Sequence, residues 1–265
     1  MNELLLSEIN AEQTDLLSTI IMIEEHIFES KVDKIFLSKI VDSATEALES
    51  FSDVLEQSEV IINHLFIEQL FVDSPKASWP IMAHRVKQAT EQRVMSPTLK
   101  AIVLRHVIEQ AGLDTDIVYV PEKVMVRIIC DDVYTIIFDP VTGESLNWQE
   151  LDERMEELAG DPSQTYLTTM DKRSVVVKYL TSLKNALIRG QSFDKALACV
   201  DLLIALRPDD PFERRDRGYL LHQLDCFKVA YDDYQYFVEQ CPKDPAAQLL
   251  KKQLAQVSIV DNKLH

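Results

Sequence analysis

The groups that could do chemistry lie in the middle of the chain: Ser96 and Thr98 on either side of Pro97, then Lys123, then Asp139. Asp139 closes the apolar stretch "TIIF" and stands opposite the entry of a neighbouring stretch at Pro121-Glu122-Lys123. A nucleophile, a base within reach of it and a carboxylate that orients the base would together support acyl transfer. Lys123 is a poor base for that purpose. A lysine of ordinary pKa is protonated at neutral pH, and Glu122 beside it favours the charged form. Acyl transfer would require Ser96 or Thr98 as nucleophile and a strongly desolvated Lys123. The expectation is instead an ion pair between Lys123 and Asp139 that serves the fold.

The other reactive side chains do not assemble into a site by spacing. The 4 cysteines, Cys130, Cys199, Cys226 and Cys241, form no CxxC pair and no zinc spacing. The 6 histidines, His26, His64, His84, His106, His222 and His265, contain no HExxH or other paired ligand spacing. His106 reads as a packed or surface residue. Glu24-Glu25-His26 reads as a solvated helix face and not as a ligand cluster. No metal or other cofactor is expected.

The elements that would position these groups are legible. Ser96 suits an N-cap, Pro97 the first helical position and Gly112 the stop. Between them Leu99, Ile102, Val103, Val107 and Ala111 form one apolar stripe. Short strands follow at 117–120, 123–130 and 133–138, with Asp131-Asp132 as the turn of the second hairpin. Residues 1 to about 72 read as helices throughout, including "DLLSTIIMIEEHIF", "DKIFLSKIVDSATEALESF" and "LEQSEVIINHLFIEQLF". "VDSPKASWP" is the first clear loop, and "IMAHRVKQATEQR" a further helix or helical loop.

Toward the C-terminus the sequence repeats. "QSFDKALACVDLLIALRPDDP" and "DCFKVAYDDYQYFVEQCPKDP" superpose with Phe193 on Phe227, Ala196 on Ala230, Pro208 on Pro242 and Pro211 on Pro245. That offset, about 34 residues, is the tetratricopeptide period. The alanines admit a close neighbouring helix, and each first proline falls just past a helix end, where its missing N–H does no harm. A helix over 172–189 supplies the first partner, and "PFERRDRGYLLHQL" the third. Such stacks carry no built-in chemistry but leave a concave surface for a peptide or another protein. Arg214, Arg215 and Arg217 are a basic cluster beside that surface. They are candidate contacts for an acidic partner, or else members of a salt-bridged helix start with Asp209, Asp210 and Asp216.

Composition sets the wider limits. With 46% hydrophobic and 27% charged residues the 265-residue chain is ordinary for a globular protein, and only 5 glycines favour helix. A net charge of -17 repels phosphate backbones, so nucleic acid is not an expected partner. The N-terminus is acidic where a signal peptide is basic, and its apolar run "IIMI" is too short to span a bilayer, so a cytosolic protein with no membrane association is expected. Reduced thiols fit that compartment.

Taken together, "EVIINHLFIEQLF", "PEKVMVRI", "IIFDPVTG" and "DDPFERRDRGYLL" resemble segments of the bacterial SirB-one type family, which joins a transglutaminase-like domain to tetratricopeptide repeats. The resemblance implies an α+β fold, predominantly helical, with a degenerate transglutaminase-like core, a small antiparallel sheet and C-terminal repeat helices. It implies a domain over 1–165, repeats over 166–258 and a tail over 259–265, with "AGDPSQTY" (159–166) as the linker. Carried over by residue, the nucleophile's place at the helix start falls on Pro97, a substitution that members of the family share. The histidine's place falls on Lys123, and the aspartate remains as Asp139. The implied function is that of a non-catalytic interaction protein with a protein or peptide partner. The alternative is a hydrolase or acyltransferase that uses Ser96 or Thr98.

Overall fold

The computed structural model describes residues 2–11, 14–120, 123–131, 134–146 and 169–261. Pro121, Glu122, Asp132, the expected linker 159–166 and the last residues of the expected tail lie outside them. The chain divides into two compact units, Glu8–Ser182 on the one hand and Met1–Ser7 with Leu183–His265 on the other.

Two helices of the first unit begin on aspartate caps. After α1 (Asn2–Asn10), α2 (Leu16–Phe28) opens on Asp15, whose carboxylate accepts the Ser18 N–H at 3.0 Å. Next come α3 (Ile35–Leu48) and α4 (Val54–Asn63), the latter capped by Asp53 on the Glu56 N–H at 3.0 Å. The segment expected as one helix over 55–71 instead loosens into a π-helical turn at His64–Glu68. Gln69 N–H reaches His64 O there, and the chain turns at Leu70 with φ 58, in the left-handed region. Glycine usually takes that place, because a leucine Cβ crowds the following carbonyl at a cost of about 1–2 kcal/mol.

A 3-10 turn (Ile81–His84) and α5 (Val86–Gln92) lead to α6 (Pro97–Gln110), the central helix. Thr98 through Leu104 are all buried, so this helix is enclosed on every side and not merely along the expected stripe. Ser96 does occupy the N-cap position, but its hydroxyl makes no capping bond. Gly112, at φ 98, ends the helix as expected.

A three-stranded antiparallel sheet follows in the order β1 (Thr115–Val120), β2 (Lys123–Ile129), β3 (Thr135–Phe138). Val118 pairs with Met125 and Ile128 with Ile136. The first strand starts two residues earlier than the apolar pattern shows, because Thr115 is tied down by its hydroxyl on Arg127 O at 2.7 Å. Helix α7 (Lys172–Arg189) contains the division between the units. Its first turns belong to the first unit, where Tyr179 donates to His84 O at 2.9 Å.

The second unit holds α8 (Phe193–Leu206), α9 (Pro211–Gln223), α10 (Phe227–Gln240) and α11 (Pro245–Asp261). The repeated residues fall at repeated structural positions. Phe193 and Phe227 open α8 and α10, and Ala196 and Ala230 are buried at 0% and 2% exposure. Pro211 and Pro245 open α9 and α11, each after an aspartate that accepts a first-turn N–H: Asp210 from Phe212 at 3.0 Å and Asp244 from Ala246 at 2.7 Å. Gly218 lets α9 and α10 meet, since a Cβ there would stand 2.8 Å from the Tyr234 ring.

Candidate functional site

The hairpin β2–β3 and the start of α6 position the sequence-derived residues. Lys123 is the first residue of β2 and Asp139 follows the last residue of β3. Their side chains meet, Lys123 Nζ lying 3.1 Å from Asp139 Oδ2. The pair is not buried: the lysine side chain is 47% exposed and the aspartate 13%.

Asp139 does more than receive the lysine. Its other oxygen accepts the Val141 N–H at 2.8 Å, its N–H donates to Glu144 O at 2.9 Å and its carbonyl accepts Gly143 N–H at 2.8 Å. It therefore organises the whole turn after the strand. Gly143 must be glycine here, at φ 79, because a Cβ would approach the Phe66 ring to 2.6 Å.

At the start of α6, Pro97 offers no nucleophilic atom. Ser96 is fully buried, donates its backbone N–H to Ala83 O at 2.8 Å and leaves its Oγ without a hydrogen-bond partner among the described residues. Thr98 is 7% exposed. No hydrogen bond among the described residues joins either hydroxyl to Lys123. The arrangement required for serine–lysine chemistry, a desolvated Lys123 against a hydroxyl, is not formed.

The desolvated amine belongs to Lys100, on the same helix as Thr98. Lys100 is fully buried and donates to Val141 O at 3.1 Å. Burial lowers its pKa to about 8, against an upward pull from Asp73 and Asp139. The Phe66 ring lies 5.6 Å from its Nζ. Asp73 N–H shares the same Val141 carbonyl at 2.9 Å, and Asp73 in turn holds Lys76 at 2.7 Å. Burial raises the Asp73 pKa, but Lys76, the Ser74 N–H and Lys100 outweigh it and keep the carboxyl below its usual value. Two lysines and two aspartates thus gather where the turn after β3 meets α6 and the loop at 73–76.

Glu24, expected on a solvated face, is fully buried. It accepts the Val86 N–H at 2.6 Å and Arg85 Nε at 3.2 Å, and burial raises its pKa. His106 is mostly buried, with its pKa lowered by burial. His84, also fully buried, has Nδ1 3.0 Å from Pro80 O and Nε2 2.8 Å from Ser182 Oγ. Among the described residues no group of histidine, cysteine and carboxylate side chains could hold a metal ion.

In the repeats, Arg214, Arg215 and Arg217 are engaged by neighbouring carboxylates. Arg217 grips Asp233 through two bonds of 2.6 and 2.7 Å, and Arg214 reaches the same carboxylate at 3.1 Å. Asp233 is 1% exposed, on the buried face of α10 with Ala230 and Phe237. Arg215 holds Asp216 at 2.7 Å. Asp216 is thus a partner as expected, but among the described residues Asp209 and Asp210 pair with none of these three arginines. A second network joins α7 to α9: Lys184 bonds Glu213 at 3.0 Å and Asp216 at 2.7 Å, and Arg207 bonds Glu213 at 2.6 Å.

Comparison with known proteins agrees with these two bodies of structure. The transglutaminase-like superfamily matches residues 34–181, and the tetratricopeptide repeat matches residues 183–255. The chain is 29% identical over 225 residues to a UPF0162 protein of Vibrio cholerae, covering 84% of this chain and 83% of that one. It is 29% identical to the UPF0162 protein YchA of Escherichia coli, covering 84% of each. It is 27% identical over 232 residues to the protein SirB1 of Salmonella typhimurium, covering 86% of each. No solved structure matches the chain.

Proposed function

Because the chain belongs to the transglutaminase-like superfamily and carries tetratricopeptide repeats, we propose that it is a non-catalytic interaction protein, possessing a transglutaminase-like scaffold and a docking surface on the repeats. The observation that carries this reading is the ion pair at Lys123 and Asp139, with Pro97 at the place of the nucleophile. The Lys123 ammonium is engaged by the Asp139 carboxylate and makes no hydrogen bond to the Ser96 or Thr98 hydroxyl among the described residues. The hydrolase or acyltransferase alternative loses support from the burial of Ser96 and Thr98 and from the lack of a partner for Ser96 Oγ.

Repeat stacks bind through their concave face, which supports a protein or peptide partner. The net charge of -17 disfavours nucleic acid, and no described helix is long and apolar enough to cross a membrane. The 4 unpaired cysteines support a reducing compartment, and the proposal places the protein in the cytosol.

The test is incubation of the intact protein with a broad panel of amide and ester substrates and with reactive serine and cysteine probes. No turnover is expected. Turnover or labelling abolished by Ser96→Ala or Thr98→Ala would overturn the proposal.

A further inference from the structure

Beside the π-helical turn the first unit exposes a run of apolar side chains that its own core does not use. Ile67 is 67% exposed, Leu70 64%, Val72 55% and Leu55 42%. They border two adjoining hollows of about 370 and 410 Å³, which share Ile62, Asn63 and Gly143. Ile67, Leu70 and Val72 line one of these hollows together, and are not scattered singly over the surface.

Leu70 gives the patch a second, independent sign. It sits at φ 58, where a leucine is disfavoured and a glycine would be relaxed. The conformation is held from both sides. Phe71 N–H donates to Leu65 O at 3.0 Å, while Arg93 clamps Gln69 through its carbonyl at 2.6 Å and its side-chain oxygen at 3.2 Å. Neighbouring structure thus over-determines a strained backbone whose result is a leucine side chain aimed at solvent. The same left-handed backbone occurs at Glu29, Arg93, Gln191 and Asp225, but of these five described residues Leu70 alone presents an apolar side chain.

The charge of the groove selects the occupant. Glu59 and Glu144 line the two hollows, and no lysine or arginine does. A second copy of this chain, with a net charge of -17, is repelled, as is an anionic membrane or a nucleic acid. We infer that the groove beside Leu70 docks an amphipathic segment of a partner protein, apolar on the face that meets Ile67, Leu70 and Val72 and basic along its flanks. This surface lies on the transglutaminase-like unit and does not depend on the docking role proposed for the repeats.

The experiment uses the full chain and a fluorescent amphipathic Leu/Lys helix of about 18 residues, five helical turns, as probe. A Leu/Glu helix of the same pattern is the control, and binding is read by anisotropy. The Leu/Lys helix should bind and the Leu/Glu helix should not. Leu70→Gly should weaken binding by about tenfold or more. It should also leave the unfolding temperature unchanged or raised, because glycine relaxes the backbone as it removes the side chain. Ile67→Ser, at an exposed position, provides a second reading. Equal affinity for wild type and both variants would overturn the inference, as would complete loss of binding at roughly 0.3 M salt, the behaviour of charge attraction alone. Dimerisation of the chain that Leu70→Gly abolishes would also overturn it, in favour of a second copy as occupant.

Discussion

Lys123 Nζ stands 3.1 Å from Asp139 Oδ2, yet the two residues contribute unequally to the fold. The lysine is half in water, and exposed pairs of this kind contribute about 0–1 kcal/mol. The aspartate also holds the Val141 N–H. Lys123→Met should therefore shift urea unfolding by less than about 1 kcal/mol. Asp139→Ala, which leaves that N–H without its acceptor, should destabilise by about 1–3 kcal/mol. Equal effects from the two substitutions would show that the turn does not depend on Asp139.

Restoring the missing reactive groups tests whether their places are still aligned. A thiol at Pro97→Cys would occupy the first turn of a 14-residue helix, where the dipole favours thiolate, so its pKa should drop below the free value of about 8.5. The pH dependence of alkylation at that peptide, followed by mass spectrometry, reads this directly. Adding Lys123→His should introduce a second inflection near the ordinary histidine value of about 6.5. A profile unchanged by the histidine would mean that positions 97 and 123 do not face each other.

Lys100 should make stability depend on pH in an unusual direction. With a folded pKa of about 8 against the ordinary lysine value of 10.5, the unfolded chain binds more protons between those values. Stability should therefore rise with pH from about 8 toward 10, since it increases wherever the unfolded state holds the extra proton. Below that window both states are charged and the desolvation penalty is borne in full. Lys100→Met should abolish this part of the rise, as read from urea midpoints of the two proteins across the same buffers. Comparison of the two cancels titrations common to both.

The arginines of the repeats should behave as structure. Removal of one partner from a buried ion pair costs about 3–5 kcal/mol, because the other charge is left uncompensated. Asp233→Ala is the clearest case, as its carboxylate holds both Arg214 and Arg217. Arg217→Glu should likewise lower the unfolding temperature, whereas Arg215→Glu, which loses the neighbouring Asp216 and its contacts over the Phe212 and Phe237 rings but no buried carboxylate, should do so less. If Arg217→Glu leaves stability untouched, the arginine is free to serve a partner after all.

What could be read from the sequence, and what could not, follows from the range of the interactions. The repeats were legible because Phe193, Ala196, Pro208 and Pro211 recur as Phe227, Ala230, Pro242 and Pro245, and each sits at a helix position fixed by local sterics. The order of α6 and the strands was legible from Ser96-Pro97, Gly112 and the apolar runs. Lys100 was not, because its partner Val141 O is 41 residues away and its burial arises only once α6 is enclosed on all sides. The π-helical turn and Leu70 left no mark, since nothing in "NHLFIEQLF" departs from helical spacing. The role of Asp233 could have been found: it lies three residues after Ala230 and four before Phe237, so an acid on that face needs a cation from the helix opposite.

The seam between α9 and α10 has a consequence for how salt acts on this protein. Asp233 is withdrawn from solvent, so mobile ions do not reach between it and its arginines, and screening barely touches the bond. The joint between α9 and α10 should thereby hold as ionic strength changes. A partner drawn to the acidic exterior would detach as salt rises while the surface that received it kept its shape.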